Sequence, residues 1–320
     1  MTIYGMQQGT LLVTGGAGFI GSHLVRRLVA DGHAVTVLDN FSSGRRENLA
    51  DLEAQGKVQL VEGDITVPNG LDKTIRGVDT VFHLAANPEV RLGDPAVHFE
   101  TNVRGTFNIL EAMRKTKVDN IVFASSSTVY GDATVIPTSE THSPLKPISV
   151  YGGAKLAGES LISAYCGSYG LKGVILRYAN VVGPALGHGV VHDFVEKLKT
   201  NSRELEILGD GSQRKSYLYV DDAVSATLQC WRQTGSKFEV FNVGSDDDID
   251  VKRIADIVLG EMGLSAVAYR YTGGVDGGRG WRGDVKYMRL DVGKLKSLGW
   301  SPKYGSEMAV RLACRSAIGK

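Results

Sequence analysis

Two rhythms of apolar positions alternate along the first half of the chain. Residues 11–13, Leu-Leu-Val, form an apolar run without a polar break, the mark of a strand buried on both faces. Ile20, Leu24 and Leu28 then recur every four residues, a helical period. Further strand-like runs stand at 34–38, 58–61, 79–84 and 120–124. Phe99, Val103, Phe107 and Leu110 mark a long helix, and a second one opens at Tyr151 and continues through Leu156, Leu161 and Ala164. Strand and helix in alternation predict an α/β fold built on a doubly wound parallel sheet. The stretch before Tyr151 carries Pro137, Pro144 and Pro147 and cannot be regular. Beyond it, 189–194 open a helix and 205–211 read as a strand and turn.

The joint between the first strand and the first helix holds Gly15, Gly18 and Gly21. Such glycines allow a tight turn, backbone approach to a pyrophosphate and close packing of helix on strand. The helix N-terminus then offers N–H groups to phosphate. Asp39 ends the next strand, where a carboxylate accepts adenosine ribose hydroxyls. The pattern predicts dinucleotide binding. Asp64, after the third strand, either meets the adenine amine or caps the following helix. Small residues follow His83 at the end of the fourth strand, leaving room where such sheets bind ligands, and His83 itself reads as structural. Ser125, Ser126 and Ser127 close the fifth strand.

Tyr151 and Lys155 are four apart and share a helix face. A lysine ammonium and an oxidised nicotinamide both favour the phenolate. Lowering a tyrosine by about three units from about 10 takes roughly 4 kcal/mol. Gly152 and Gly153 each cost the helix roughly 1 kcal/mol against alanine, which suggests close approach of a ligand.

Composition narrows the partners. The 320 residues suit one large domain or two unequal ones. Lys plus Arg number 36 and Asp plus Glu 35, so no net field draws nucleic acid or a membrane surface. Cys166, Cys230 and Cys314 are too few and too scattered for a disulfide framework or a zinc site, and no metal is expected. Residues 1–10 lack a basic region followed by a long apolar run, and no apolar stretch is long enough to span a bilayer. A soluble cytoplasmic protein is the expectation.

Read together, these motifs resemble the extended short-chain dehydrogenase/reductase family, and within it the nucleotide-sugar 4-epimerases of the UDP-glucose 4-epimerase type. The residues that carry the likeness are Thr14-Gly15-Gly16-Ala17-Gly18-Phe19-Ile20-Gly21, Leu38-Asp39-Asn40, Gly63-Asp64-Ile65, His83-Leu84-Ala85-Ala86 and Asn102-Val103. The serine run before Val129-Tyr130-Gly131, Tyr151 with Lys155, and Arg177-Tyr178-Ala179-Asn180 complete it. The resemblance implies a Rossmann-type NAD-binding domain, residues 1–185 with a returning segment near 217–245. It also implies a smaller C-terminal α/β nucleotide-sugar-binding domain, 186–320. Cofactor contacts are implied for Gly15, Gly18, Phe19, Ile20, Gly21, Asp39, Asn40, Ser43, Gly44, Asp64, Ile65, Leu84, Ala85, Ala86, Asn102, Tyr151, Lys155 and Tyr178. Catalysis is implied for Ser126, Tyr151 and Lys155, with Ser126 chosen by counting back from Tyr130 and Ser127 left open beside it.

On the substrate side the resemblance implies Val90, Ser126, Ser127, Tyr151, Asn180, Gly189, Val190, Val191, Lys215, Arg279, Asp284 and Met288. Asn180 would meet the diphosphate, Asp284 the uridine ribose, and Met288 would wall the sugar pocket. Two departures stand out. Where many relatives read Gln-Thr-Arg-Asp, this chain has Gln213-Arg214-Lys215-Ser216. Where an arginine usually precedes the Gly-Asp aspartate by three, it has Trp281, so Arg279 or Arg282 must serve, Arg279 being favoured. Six glycines between Gly273 and Gly283 suggest a loop that folds round a ligand.

The implied activity is an NAD-dependent isomerase acting on UDP-glucose and UDP-galactose, as a homodimer through helices near 94–116 and 151–169. Rivals are a UDP-glucuronate or UDP-N-acetylglucosamine 4-epimerase, a 4,6-dehydratase and a catalytically silent NAD-binding regulator. Dehydratases of the family carry an Asp-Glu pair where this chain has Ser127-Thr128, although Glu89 and Glu140 could reach the site in space.

Overall fold

The computed structural model describes residues 8–91, 93–233 and 236–320. Its strands in chain order are β1 (Thr10–Thr14), β2 (Ala34–Asp39), β3 (Val58–Glu62), β4 (Thr80–His83), β5 (Asn120–Ser126), β6 (Lys172–Tyr178) and β7 (Asn180–Val182). β8 (Glu204–Ile207), β9 (Arg214–Lys215), β10 (Tyr217–Tyr219), β11 (Phe238–Val243), β12 (Ile249–Asp250), β13 (Ala268–Tyr271) and β14 (Tyr287–Met288) follow. The helices are α1 (Phe19–Ala30), α2 (Ala50–Ala54), α3 (Leu71–Ile75), α4 (Pro95–His98), α5 (Gly105–Thr116) and α6 (Val150–Tyr169). They continue with α7 (Val190–Thr200), α8 (Val220–Gln233), α9 (Val251–Met262), α10 (Gly293–Ser297) and α11 (Ser306–Ala317).

Seven strands pair in the order β11-β6-β5-β4-β1-β2-β3, every pair parallel. This is the doubly wound sheet the sequence predicts. The winding reverses between β1 and β4, and a crevice opens there outside the strands' C-terminal ends. Successive side chains feed opposite faces. Leu11 and Val13 join Leu24, Val25 and Leu28 of α1 and Leu228 of α8, whereas Leu12 joins Ile109, Leu110 and Ile162 on the other side. Each such fully buried side chain contributes about 1.5–3 kcal/mol.

The helix read through Phe99 to Leu110 is α4 and α5 joined by a wide π turn, Phe99–Arg104. Asp94 caps α4 by accepting from the Ala96 N–H at 2.9 Å. After β6 the chain leaves the sheet, and α7, α9 and α11 close a separate core with Leu205, Ile207 and Tyr217. β10 then pairs with β7, and β11 adds itself to the edge of β6. A small mixed sheet, β12-β9-β14, stands beside β10. The three cysteines are buried and unpaired. Among the described residues no helix is long and apolar enough to cross a membrane.

Candidate active site

β1 ends in a turn that only glycine can make. Gly15 has φ +67°, and a Cβ on it would stand 2.6 Å from the Ala85 nitrogen. The loop leaving β4 therefore lies directly on the turn, with Leu84 N–H donating to the Thr14 carbonyl at 3.1 Å. A Cβ on Gly21 would stand 2.2 Å from the Gly15 carbonyl oxygen. Gly18 caps α1 without a side chain, so the first-turn N–H groups of Phe19, Ile20 and Gly21 remain for an anion.

Asp39 is buried, and its two oxygens accept from the N–H groups of Ala17 and Phe41, each at 2.9 Å. Each oxygen keeps a lone pair for a ribose hydroxyl. Gly44 is pressed against this carboxylate, where a Cβ would stand 2.9 Å from Oδ2. Ser43 beside it is exposed. Of Arg45 and Arg46, the two basic residues placed to meet a 2′-phosphate, Arg46 is paired with Glu53 at 2.6 Å. The turn, the uncapped helix and the buried Asp39 fit a dinucleotide with free ribose hydroxyls.

The remaining cofactor-side residues divide. Asp64 accepts from Thr66 N–H at 2.7 Å and from Asn40 at 3.0 Å; it shapes its own loop, and α3 is capped by Gly70 instead. Ile65 is buried against Gly105. Asn102, on the π turn, grips Asn87 from both sides, accepting from its N–H at 2.7 Å and donating to its carbonyl at 3.1 Å. That grip fixes the loop holding Leu84, Ala85 and Ala86. Tyr178 is turned away into the core, its hydroxyl at 2.5 Å from Thr227 Oγ1. His83 lies between the Thr14 and Thr106 hydroxyls at 2.7 and 3.0 Å, and burial, with Lys155 nearby, lowers it to about 3. It is a neutral tie that joins β4 to β1 and to α5.

Ser126, Tyr151 and Lys155, the residues the resemblance singles out, gather at the C-terminal end of β5. Ser149 caps α6 through Gly152 N–H at 3.1 Å, which aims Tyr151 and Lys155 from the first turns. Lys155 is buried, donates to the Ala124 carbonyl at 2.8 Å and lies 5.7 Å from the Tyr151 ring centre. The Ser126 oxygen accepts from both the N–H and the hydroxyl of Thr128, at 3.2 and 2.9 Å. Its own proton is left to donate elsewhere, and it faces Tyr151, whose pKa it draws down. Of the neighbouring serines, Ser125 is turned to Glu159, and Ser127 is buried. His98 presents its ring at 6.1 Å and 72° to that of Tyr151.

Two points bear on Tyr151 and its glycines. Burial pushes Tyr151 up to about 12, more than Ser126 offsets. Reaching neutrality from there takes roughly 3 kcal/mol more than from a free tyrosine. The glycine pair also has another reason. A Cβ on Gly152 would stand 2.7 Å from the Thr128 carbonyl, so that glycine seats α6 on the serine turn, while Gly153 faces open space.

Across the crevice Lys215 meets Asp284 at 2.6 Å, and Gly280 N–H donates to the same carboxylate at 3.2 Å. Trp281 lies between two cations, Lys215 at 5.4 Å and Arg91 at 5.2 Å from its ring centre, and its indole N–H is buried without a partner among the described residues. Arg91 reaches on to Asp193 of α7 at 2.5 Å. Arg279 is tied to Asp132 at 2.8 Å, and Arg282 is exposed with only Asp276 at 3.8 Å. Asn180 lies 3.4 Å from the Ser216 carbonyl. Gly189, φ +93°, turns into α7; Val191 is in the third core, while Val190 and Val90 are half-buried. Met288 is buried among Val129, Tyr130 and Ala179. Glu140 is held by Asn242 N–H at 2.8 Å and Glu89 by Arg91 N–H at 2.7 Å.

Sequence reasoning missed Arg91, Thr128 and Glu159. Only Glu159 left a signal, as a carboxylate four residues after Lys155 on one helix face.

The fold and its glycine turn define a dinucleotide-binding protein. A family model described as the NAD dependent epimerase/dehydratase family matches residues 11–244, and the chain belongs to that family. It is 36% identical to the UDP-glucose 4-epimerase of Mycolicibacterium smegmatis over 91% of this chain and 93% of the relative. A crystal structure of a UDP-galactose 4-epimerase superposes with TM-score 0.87 at 48% identity, covering 97% of this chain and 99% of the other. The UDP-glucuronic acid 4-epimerase of Bacillus cereus, in complex with UDP-glucuronic acid and NAD, gives TM-score 0.87 at 30% identity with the same coverage.

Proposed function

We propose that the protein is an NAD-dependent nucleotide-sugar 4-epimerase, acting on UDP-glucose and UDP-galactose. One observation carries the choice within the family. Ser126, Tyr151 and Lys155 converge at the end of β5, and no carboxylate stands with them at Ser127 or Thr128. NAD, bound across the glycine turn and Asp39, supplies a reversible hydride acceptor at C4 of the sugar. Tyr151 takes the proton of the 4-hydroxyl and returns it. Ser126, its oxygen already satisfied by Thr128, donates to the same sugar oxygen. Lys155 favours the phenolate. Dehydration would also need a base at C5 and an acid at C6. Glu140 is engaged by the main chain of β11, and Glu89 by its own loop.

The part built from residues 1–185 with 217–245 is assigned to the cofactor, and the remainder to the nucleotide sugar, with Lys215, Asp284 and Asn180 on its phosphate and ribose. A homodimer is assigned to the exposed apolar side chains Val97, Phe99 and Phe107 of the α4–α5 stretch and Val150 and Tyr169 of α6. The deciding experiment is product analysis by NMR after incubation with UDP-glucose, dTDP-glucose, UDP-glucuronate and UDP-N-acetylglucosamine. The expected product is UDP-galactose from UDP-glucose. A 4-keto-6-deoxy sugar would refute epimerisation, and faster conversion of the uronate or the N-acetylated sugar would replace the substrate.

A further inference from the structure

Lys155 stands in a place that works against its charge. It is 3% exposed, with Phe123 5.0 Å from its ammonium on one side and the neutral His83 nearby. Burial lowers it to about 8, and Glu159 is the group that opposes this. Glu159 lies one turn further along α6 and is itself 5% exposed. A fork holds its carboxylate: Arg177 Nη2 donates to Oε2 at 2.7 Å and Nε to Oε1 at 3.0 Å, and the Ser125 hydroxyl also donates to Oε1. Arg177 is fixed in turn by Tyr130, whose hydroxyl accepts from Nη1 at 2.9 Å and donates to Asn242 at 2.7 Å. Tyr130 is pushed up to about 12 and stays neutral. Glu140 gives Arg177 only its main-chain carbonyl, at 3.4 Å, because its carboxylate is engaged by Asn242. The charged groups round Lys155 are thus Glu159 and, behind it, Arg177; Tyr151 is the group they serve.

We propose that Glu159 is a positioning residue of the reaction: held in place by Arg177 and Ser125, its carboxylate keeps the Lys155 ammonium charged beneath Tyr151. The proposal rests on the reading of Tyr151 and Lys155 as the reacting pair. Its consequence has a definite sign. Activity that needs charged Lys155 falls as pH rises through that group's pKa. Removing the carboxylate's charge brings that fall to lower pH, by about one unit for a close opposite charge. A role in packing alone would lower kcat and leave the pH profile where it is.

The test is the pH dependence of kcat/KM for the intact holoenzyme, Glu159→Gln and Ser125→Ala. Alongside it, the phenolate absorbance of each protein is titrated against its own Tyr151→Phe counterpart. Glu159→Gln should move the alkaline limb about one unit towards acid and the phenolate titration towards alkali. Ser125→Ala, which keeps the charge, should leave both in place. If Glu159→Gln alone fails to fold because Arg177 is left unpaired, Glu159→Gln with Arg177→Met removes both charges. That pair should show a smaller shift of the same sign. Unmoved limbs and titrations, whatever happens to kcat, would overturn the proposal. An active Tyr151→Phe would instead overturn the functional reading beneath it.

Discussion

Tyr151 shows how little one residue can settle by itself. Its hydroxyl is beside Ser126 and its ring beside Lys155, yet burial holds the proton on. Replacing it with phenylalanine removes only that hydroxyl and keeps the half-buried ring. Turnover should fall about a hundred to ten thousandfold, with NAD and nucleotide-sugar binding retained, as single-turnover kinetics and calorimetry would show. Near-normal turnover would take Tyr151 out of the mechanism. The candidate set of Ser126, Tyr151 and Lys155 was legible because its spacing is local: Lys155 follows Tyr151 by four, and the serines follow a strand. What was illegible is how these side chains are held. Arg177 and Glu159 meet from β6 and α6, eighteen residues apart. Arg279 finds Asp132 across 147 residues, and no pattern in either segment announces the other.

At the scale of elements, the turn from β1 into α1 is a joint of backbone packed directly on backbone. Gly21→Ala places a methyl 2.2 Å from the Gly15 carbonyl, backbone that cannot yield as a side chain can. The turn must open, so NAD affinity should drop at least tenfold in a fluorescence titration and the fold should lose about 1–3 kcal/mol. Gly153→Ala is the contrast. Its new methyl meets nothing within 4 Å, and the helix should gain up to about 1 kcal/mol in denaturant unfolding. Unchanged NAD binding in Gly21→Ala would deny the turn its role. The period of four in Ile20, Leu24 and Leu28 made α1 readable, and unbroken apolar runs did the same for the strands. The π turn at Phe99–Arg104 was hidden, because Phe99, Val103, Phe107 and Leu110 also suit an ordinary helix. β9, β12 and β14 are two residues each, too short for any period to register.

For the whole molecule, the exposed aromatic side chains are the feature that water disfavours. Phe99 is 57% and Phe107 43% exposed on the helical stretch packed beside α6. Sedimentation velocity should report a dimer for the native protein and, with both replaced by aspartate, a 34.4 kDa monomer. A native monomer would refute the assigned interface. The path of the chain carries a further consequence, one about the order in which the protein is made. β6 ends at Tyr178, and the strand that covers its outer edge begins at Phe238. On the ribosome, roughly 3–12 s of synthesis separate the two at about 5–20 residues per second. Through that interval a nascent chain already able to wind six strands presents an open row of N–H and C=O groups to its neighbours. Shelter for the newborn chain is therefore needed most between these two strands, and a ribosome paused there would raise the risk of edge-to-edge aggregation.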